Sequence, residues 1–304
     1  IFADRTSREI MKSALALSLL KIISLLPLGL ARFFGYIMGV LITTFATVAY
    51  KTTQQNLAHC FPDNPPKANR ALAKARMKHL GQAFFETPGL WRRPSGWLQS
   101  KIVAVEGESY LKDAIANDRG TILLIPHQGN WEVIGLWVAK QAAMTSLYQP
   151  PKNRLLGNWI KKSREQTGAN LVPTNVRGVA ALLKALNRGE TVAILPDQQP
   201  PKASGDFAPL FGKPALTMTL AYNLLNRSNS QALFCTALRE KGGWRLHFVP
   251  ADQAIYSEDQ AISLKAMNQG VESIAAQAMD QYQWEYKRYR TQPEGYSPIY
   301  SAGS

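Results

Sequence analysis

The chain has 304 residues, 46% of them apolar and 18% charged, which suits one or two globular domains and excludes both a disordered chain and a small disulfide-stapled scaffold. Lys and Arg outnumber Asp and Glu by 35 to 21, for a net charge of +14, so an anionic partner is expected: nucleic acid, membrane headgroups, or an acidic protein or substrate. A mean hydropathy of −0.17 excludes a polytopic membrane protein, and Cys60 and Cys235 are too few for a disulfide framework or a cysteine zinc site.

The N-terminal region is the apolar one. Met11 to Tyr50 holds no acidic residue, and Phe33 to Tyr50 is an uncharged run of 18 residues, at the short end of what a spanning helix needs. The preceding stretch is interrupted by Lys21 and Pro27. Three readings compete: a helical hairpin or interfacial anchor, one spanning helix, and a cleaved signal. The signal is disfavoured because Lys21 splits the apolar region and no small-x-small cleavage site follows. Lys12, Lys21, Arg32 and Lys51 frame the segment with positive charge only, as anionic headgroups favour. The chain opens on Ile1, so its natural start is expected to differ. Residues 1–60 are read as the anchoring unit and 61–304 as the remaining domain. The boundary is Phe61-Pro62-Asp63-Asn64-Pro65-Pro66, which breaks any arriving helix before a new one over 67–86.

From about Val103, short β-rich apolar runs alternate with helical stretches. This is the pattern of an α/β fold with a mainly parallel central sheet and crossover helices. Strands are predicted at 121–126, 145–149, 170–172, 191–196, 232–238 and 244–249. Helices are predicted at 131–142, 153–167, 176–188, 215–226 and 260–280, with Gly168 and Gly189 as end signals. No solenoid-range repeat and no low-complexity tract is present.

One internal echo is informative. Arg119-Gly-Thr-Ile-Leu-Leu-Ile-Pro-His127-Gln128 parallels Arg188-Gly-Glu-Thr-Val-Ala-Ile-Leu-Pro-Asp197-Gln198. Both read as turn, buried strand, proline and exposed polar pair. In one parallel sheet they bring His127 and Asp197 to the same carboxyl edge, where open α/β sheets place ligand sites. Ordinary strand-end punctuation accounts for either segment taken alone.

A sharper signal is His127-Gln-Gly-Asn-Trp-Glu132, with the histidine past the strand and the glutamate entering the next helix. Five positions apart, the two share no face of one helix. With the histidine in the turn, Gly129 lets the chain fold back, and the Glu132 carboxylate is placed to hold one imidazole nitrogen. The other nitrogen then stays free to take a proton from an alcohol. The bland alternative has Glu132 satisfying a helix start and His127 solvated.

The string HQGNWE on a strand-to-helix turn resembles the H-x4-D/E motif of the bacterial late lipid A acyltransferases. Other segments agree. Tyr148-Gln-Pro-Pro-Lys152-Asn153, followed by Arg164 and Gly168, is similar to the family's Y-x-P-x-x-N…R…G stretch. Pro196-Asp197-Gln198…Gly205-Asp206-Phe207…Phe211-Gly212…Pro214-Ala215 is similar to its D-Q…G…F-F-G-x-P-A block, and Tyr282-Gln-Trp284…Lys287-Arg288 to its closing Y-x-W segment.

The resemblance implies a lysophospholipid-acyltransferase-like α/β domain behind a membrane anchor. It also implies transfer of an acyl chain from acyl carrier protein to a hydroxyl of a 3-hydroxyacyl chain on a Kdo-lipid A precursor, with the later-acting branch favoured. In that picture His127 is general base, Glu132 orients it and stabilises the imidazolium, and Arg164 and Asp197 complete the site. Gly129, Asn130, Trp131, Lys152, Asn153, Gln198, Gly205 and Phe211 are the substrate-binding candidates. Trp131, Trp137, Phe207 and Phe211 are candidate walls for the donor chain. Carrier protein, lipid A precursor and anionic inner-membrane lipids are the implied partners, with the site on the cytoplasmic face and no metal or cofactor. Lys152, Arg154, Lys161, Lys162, Arg177 and Lys184 are candidate contacts for those anionic partners.

Other classes fit less well. A nucleic-acid module would use the positive charge, yet zinc-finger spacing, RNP string and zipper are missing. A serine hydrolase lacks a G-x-S-x-G elbow, and the four histidines show no metal-ligand spacing. A catalytically idle membrane scaffold predicts that loss of His127 changes no product. Within the acyltransferases, the alternative is an acyl-CoA-dependent phosphatidylinositol-mannoside acyltransferase.

Overall fold

The computed structural model describes residues 2–117 and 119–300, without the side chains of residues 2–10 and Lys12. The charge assigned to Lys12, the reading of Ile1 and the last four residues of the second unit therefore lie outside the described residues. The apolar N-terminal region forms helices α1 (Phe2–Ile23), α2 (Leu28–Thr44) and α3 (Val48–Cys60). Pro27 separates α1 from α2 because its ring removes the N–H a helix interior uses.

Between α2 and α3 the chain turns at Phe45–Thr47, with Ala46 at φ 45°. The hydroxyls of Thr43 and Thr44 turn back onto the carbonyls of Gly39 and Val40, competing with continuation of the helix. The apolar run over 33–50 is therefore not one continuous helix; among the described residues only α2 and α3 taken together have the length and apolarity of a span. The two helices bend by 75°, and among the described residues no single helix is long and apolar enough to cross a membrane.

The linker leads into α4 (Pro66–Arg92), which runs beyond the predicted 67–86. Helices α2 and α4 cross with their backbones in contact. A Cβ on Gly35 would lie 2.5 Å from Gln82 Cα, one on Gly39 2.4 Å from Lys78 Cα, and one on Gly81 2.0 Å from the Gly35 carbonyl oxygen. Any side chain there would force the helices apart. Arg32 of α2 reaches farther, bonding Glu86 of α4 at 2.5 Å and the carbonyls of Glu240 and Gly243 at 2.5 and 2.7 Å. From α3, Tyr50, Leu57 and Cys60 enter the same core as Ile122, Leu124, Val192 and Ile194. Segments 1–60 and 61–304 thus share extensive buried surface.

The rest of the chain alternates. In order come α5 (Ser95–Gln99), β1 (Ile102–Glu106), α6 (Glu108–Ala116), β2 (Thr121–Leu124), α7 (Glu132–Val138), β3 (Met144–Tyr148), α8 (Arg154–Glu165), β4 (Ala169–Pro173), α9 (Val176–Leu186) and β5 (Thr191–Ile194). There follow β6 (Gly205–Leu210), β7 (Lys213–Met218), α10 (Leu220–Leu225), β8 (Gln231–Glu240), β9 (Gly243–Pro250) and α11 (Gln260–Ala276). The main sheet has the order β1-β9-β8-β2-β5-β3-β4, parallel throughout except for β8 against β9. The mainly parallel sheet flanked by helices is as expected. Strands β2 and β5 are buried on both faces, which explains their unbroken apolar runs. Ile122 and Leu124 face one core, Leu123 and Ile125 the other.

The predicted helix over 215–226 is corrected. Residues 213–218 form strand β7, paired antiparallel with β6, and the helix is confined to Leu220–Leu225. The reason is the turn between them: Phe211 and Gly212 take φ 49° and 69°, the two successive left-handed positions that join hairpin strands. Helix α7 is likewise shorter than the predicted 131–142, and β1 was not expected.

Candidate active site

Pairing of β2 with β5 sets Thr121 opposite Thr191 and Leu124 opposite Ile194. The Ile125 N–H continues the ladder onto the Ile194 carbonyl at 2.8 Å. The same 70-residue offset puts His127 beside Asp197. The echo between the two segments is therefore a spatial register: each strand ends, a proline follows, and the polar side chains emerge side by side at the carboxyl edge. Asp197 Oδ2 accepts from the His127 backbone N–H at 2.8 Å, and Oδ1 from the imidazole Nδ1–H at 2.7 Å.

Burial works against the Asp197 charge, but the facing His127 ring and its hydrogen bonds outweigh it and hold the carboxyl below its usual 3.8. An ionised carboxylate can only accept, so the Nδ1 proton points at it and the neutral ring keeps its lone pair on Nε2. The Gln198 side-chain amide donates to that Nε2 at 3.2 Å, and the same nitrogen donates to Gln283 Oε1 at 2.8 Å. Tyr282 is buried against Asp197; burial first, and the carboxylate second, push its hydroxyl well above the usual 10. It therefore stays protonated beside the carboxylate.

The turn carrying the histidine is laced to its surroundings by backbone. Gly129 takes φ 60°, and a Cβ there would lie 2.0 Å from the Ala237 carbonyl oxygen, so both conformation and space require glycine. The N–H of Gly129 donates to Gln281, that of Asn130 to Ala237, and that of Gln283 to His127, at 3.0, 3.0 and 2.9 Å. Gln128 caps the carbonyls of Ala275 and Ala278 at 3.1 and 3.0 Å. Asn130 donates to Glu86 Oε2 at 3.2 Å. Gly129 and Asn130, read from sequence as substrate contacts, are here the fasteners of the loop.

The expected bond between Glu132 and the imidazole is not made, which corrects the sequence reading. Glu132 begins α7 and gives both carboxylate oxygens to Arg164 of α8: Oε2 accepts from Nε at 3.1 Å and Oε1 from Nη2. Asp197 has already taken the imidazole from the neighbouring strand. Burial disfavours the Arg164 charge, and Glu132 more than restores it, raising the guanidinium above its usual range. Trp131 lies between the two pairs, its ring 5.8 Å from that of His127 and 5.1 Å from Arg164 Cζ. An apolar recess of about 90 Å³ opens at this point, lined by Trp131, Leu136, Met144, Leu147 and Leu171 beside Glu132 and Arg164.

The other sequence candidates scatter. Asn153 caps α8, accepting from the Leu156 N–H at 3.1 Å. Gly205 starts β6, where a Cβ would meet Pro200 and the Thr217 carbonyl. Phe211 packs on Phe61, Tyr282 and Trp284 behind Asp197. Of the proposed donor-chain walls only Trp131 lines the recess; Trp137 packs on Phe248 in the core. Sequence reasoning did not single out Gln283, Tyr282, Glu86 or Arg239. Tyr282 and Gln283 stood inside the Y-x-W segment, but their role depends on a contact across 85 positions from Gln198. Among the described residues no group of three or more His, Cys, Asp or Glu could hold a metal ion.

Imidazole paired with a buried carboxylate beside an apolar recess suits acyl chemistry on an alcohol. The chain is 27% identical to a lipid A biosynthesis palmitoleoyltransferase of Escherichia coli (strain K12) over 280 residues, 90% of each protein. It is 26% identical to a lipid A biosynthesis lauroyltransferase of the same organism over 288 residues, 92% of each. A phosphatidylinositol mannoside acyltransferase of Mycobacterium tuberculosis (strain ATCC 25618 / H37Rv) is more distant, 23% identical over 241 residues and 76% of each. The family model described as bacterial lipid A biosynthesis acyltransferase matches residues 4–291, and the chain belongs to that family.

Proposed function

We propose that this protein transfers a fatty acyl chain from an acyl carrier protein thioester to the hydroxyl of a 3-hydroxyacyl chain on a Kdo-lipid A precursor. The observation that carries the reading is the imidazole of His127, held by Asp197 on Nδ1 with its Nε2 lone pair met, among the described residues, by the Gln198 amide. The acceptor hydroxyl displaces that amide, and Nε2 takes its proton as the oxygen attacks the thioester carbonyl. Asp197 stabilises the imidazolium so formed. The tetrahedral intermediate collapses with cleavage of the carbon–sulfur bond, and the thiolate recovers the proton from His127. No acyl-enzyme forms. Glu132 acts on Arg164, presenting a fixed guanidinium to the negative charge developing on the carbonyl oxygen.

The exposed apolar side chains Leu15, Leu19, Ile22, Phe33, Ile37 and Leu41 of α1 and α2 support location at the inner membrane with the site on its cytoplasmic face, next to anionic lipids. The test is mass spectrometry of Kdo-lipid A precursors incubated with lauroyl-acyl carrier protein and the wild type, His127→Ala or Asp197→Asn. A gain of acyl mass with the wild type that both folded variants lose is expected. Equal acylation by the variants overturns the mechanism; transfer only from acyl-CoA to a mannolipid overturns the substrate assignment.

A further inference from the structure

Beside the active site opens a second cavity, of about 580 Å³, between the β3–α8 connection, α8 and the end of β4. Lys152, Arg154 and Lys161 line it, and none of its lining residues is acidic. Lys161 has Glu165 at 3.6 Å, one turn along the helix and half exposed. Among the described residues, Lys152 and Arg154 have no carboxylate within ion-pair distance. Among the described residues the groove therefore gathers three positive charges against the single half-exposed carboxylate of Glu165, a site for an anion with several acceptor oxygens.

Two residues tie the groove to Arg164 and the apolar recess. Tyr148 forms its wall and also lies 5.4 Å from Arg164 Cζ, its hydroxyl pinned to the Gly157 carbonyl at 2.9 Å. Leu171 lines both the groove and the apolar recess. On the outer side, Asn153 donates to the Ser13 carbonyl of α1 at 3.2 Å. The exposed Leu15 and Leu19 of α1 and Leu155 of α8 belong to the same two helices. Apolar side chains thus stand next to a basic hollow, as when acyl chains and an anionic headgroup of one molecule must be met together. An acidic soluble protein would need the charges but not the apolar border.

We infer that Lys152, Arg154 and Lys161 bind a phosphate group on the headgroup of the membrane lipid that carries the attacked hydroxyl; the part concerning the acceptor rests on the acyl-transfer reading above. The test compares the wild type with the triple variant Lys152→Ala, Arg154→Ala, Lys161→Ala, all at exposed positions. In the first arm the probes are vesicles of phosphatidylcholine alone and of phosphatidylcholine mixed with phosphatidic acid. The wild type should bind the mixed vesicles about tenfold or more tightly than the plain ones, and the variant should lose that difference while still binding plain vesicles.

In the second arm, transfer is measured to the acceptor lipid before and after phosphatase treatment. The variant should raise KM for the phosphorylated acceptor and leave KM for the treated one where it was. A variant that keeps the preference for phosphatidic acid, or whose KM rises equally for both acceptors, overturns the proposal. A rise in KM for the acyl carrier protein donor alone would make the groove a protein-docking site and overturns it as well. Absence of transfer by the wild type counts against the acyl-transfer reading, and the vesicle arm then decides the phosphate site by itself.

Discussion

Two buried carboxylates, Glu86 and Asp197, have opposite uses. Glu86 is wholly buried and accepts from Nε and Nη2 of Arg239 at 2.8 Å each, from Arg32 at 2.5 Å and from Asn130 at 3.2 Å. Burial opposes its charge, the two guanidinium groups prevail, and it sits below its usual 4.5. Every partner is fixed in place, and the cluster joins α2, α4, β8 and the turn that carries His127. Asp197 is equally buried, yet its partner is a ring with a second nitrogen that opens toward Gln198. A saturated ionic cluster holds structure together, whereas one whose partner keeps an exchangeable position can do chemistry.

The contrast is open to measurement. The largest effect is expected at the open pair: His127→Ala and Asp197→Asn should each lower kcat by roughly 10²–10⁴-fold. His127→Ala should also lower the melting temperature, because Asp197 loses the ring that holds its charge, but by less than Glu86→Leu does. Leaving Arg239 and Arg32 without their counter-ion costs about 3–5 kcal/mol in denaturant unfolding, with activity lost in proportion to folded protein. Equal stability losses at Glu86 and His127 would erase the distinction.

Arg164→Lys sharpens it further. A lysine cannot reproduce the two-pronged bond to Glu132, and a loss of about 1.5–3 kcal/mol per charged hydrogen bond corresponds to roughly 10–100-fold in kcat/KM. Acid separates the two carboxylates from the rest of the fold. Both sit below their unfolded values, so the stability they contribute is complete above about pH 4.5 and is lost as pH falls through their folded values. The melting temperature in thermal unfolding should decline as pH falls below about 4.5, and Asp197→Asn should reduce that decline. The smallest effect is expected at Gln198→Ala. Removing a side chain that the acceptor must displace should lower the acceptor KM by about two- to tenfold, the worth of one ordinary hydrogen bond.

How far the sequence reaches can be followed residue by residue. The alternation of apolar strands with helices was legible because a strand buried on both faces must be an unbroken apolar run, as β2 and β5 are. So was the meeting of His127 and Asp197, since two similar strand-and-turn segments placed in register deliver equivalent side chains to one edge. The two-residue turn at Phe211 and Gly212 was not. Nothing in Phe211 announces a left-handed conformation, and an apolar stretch beside it reads as helix as readily as strand. The bend at Ala46 escaped for a similar reason: apolarity measures burial or lipid contact, not the direction of the axis.

The sequence by itself determined the α/β alternation and pointed to the carboxyl edge, with His127, Asp197, Glu132 and Arg164 as candidates for the site. Only the tertiary structure decided which carboxylate meets which cation. Strand pairing across 70 positions put Asp197 on the imidazole, and the packing of α7 against its neighbours turned Glu132 toward Arg164. Local sequence encodes periodicity and turns, whereas partner choice among like groups follows from distances between elements that only the closed fold sets.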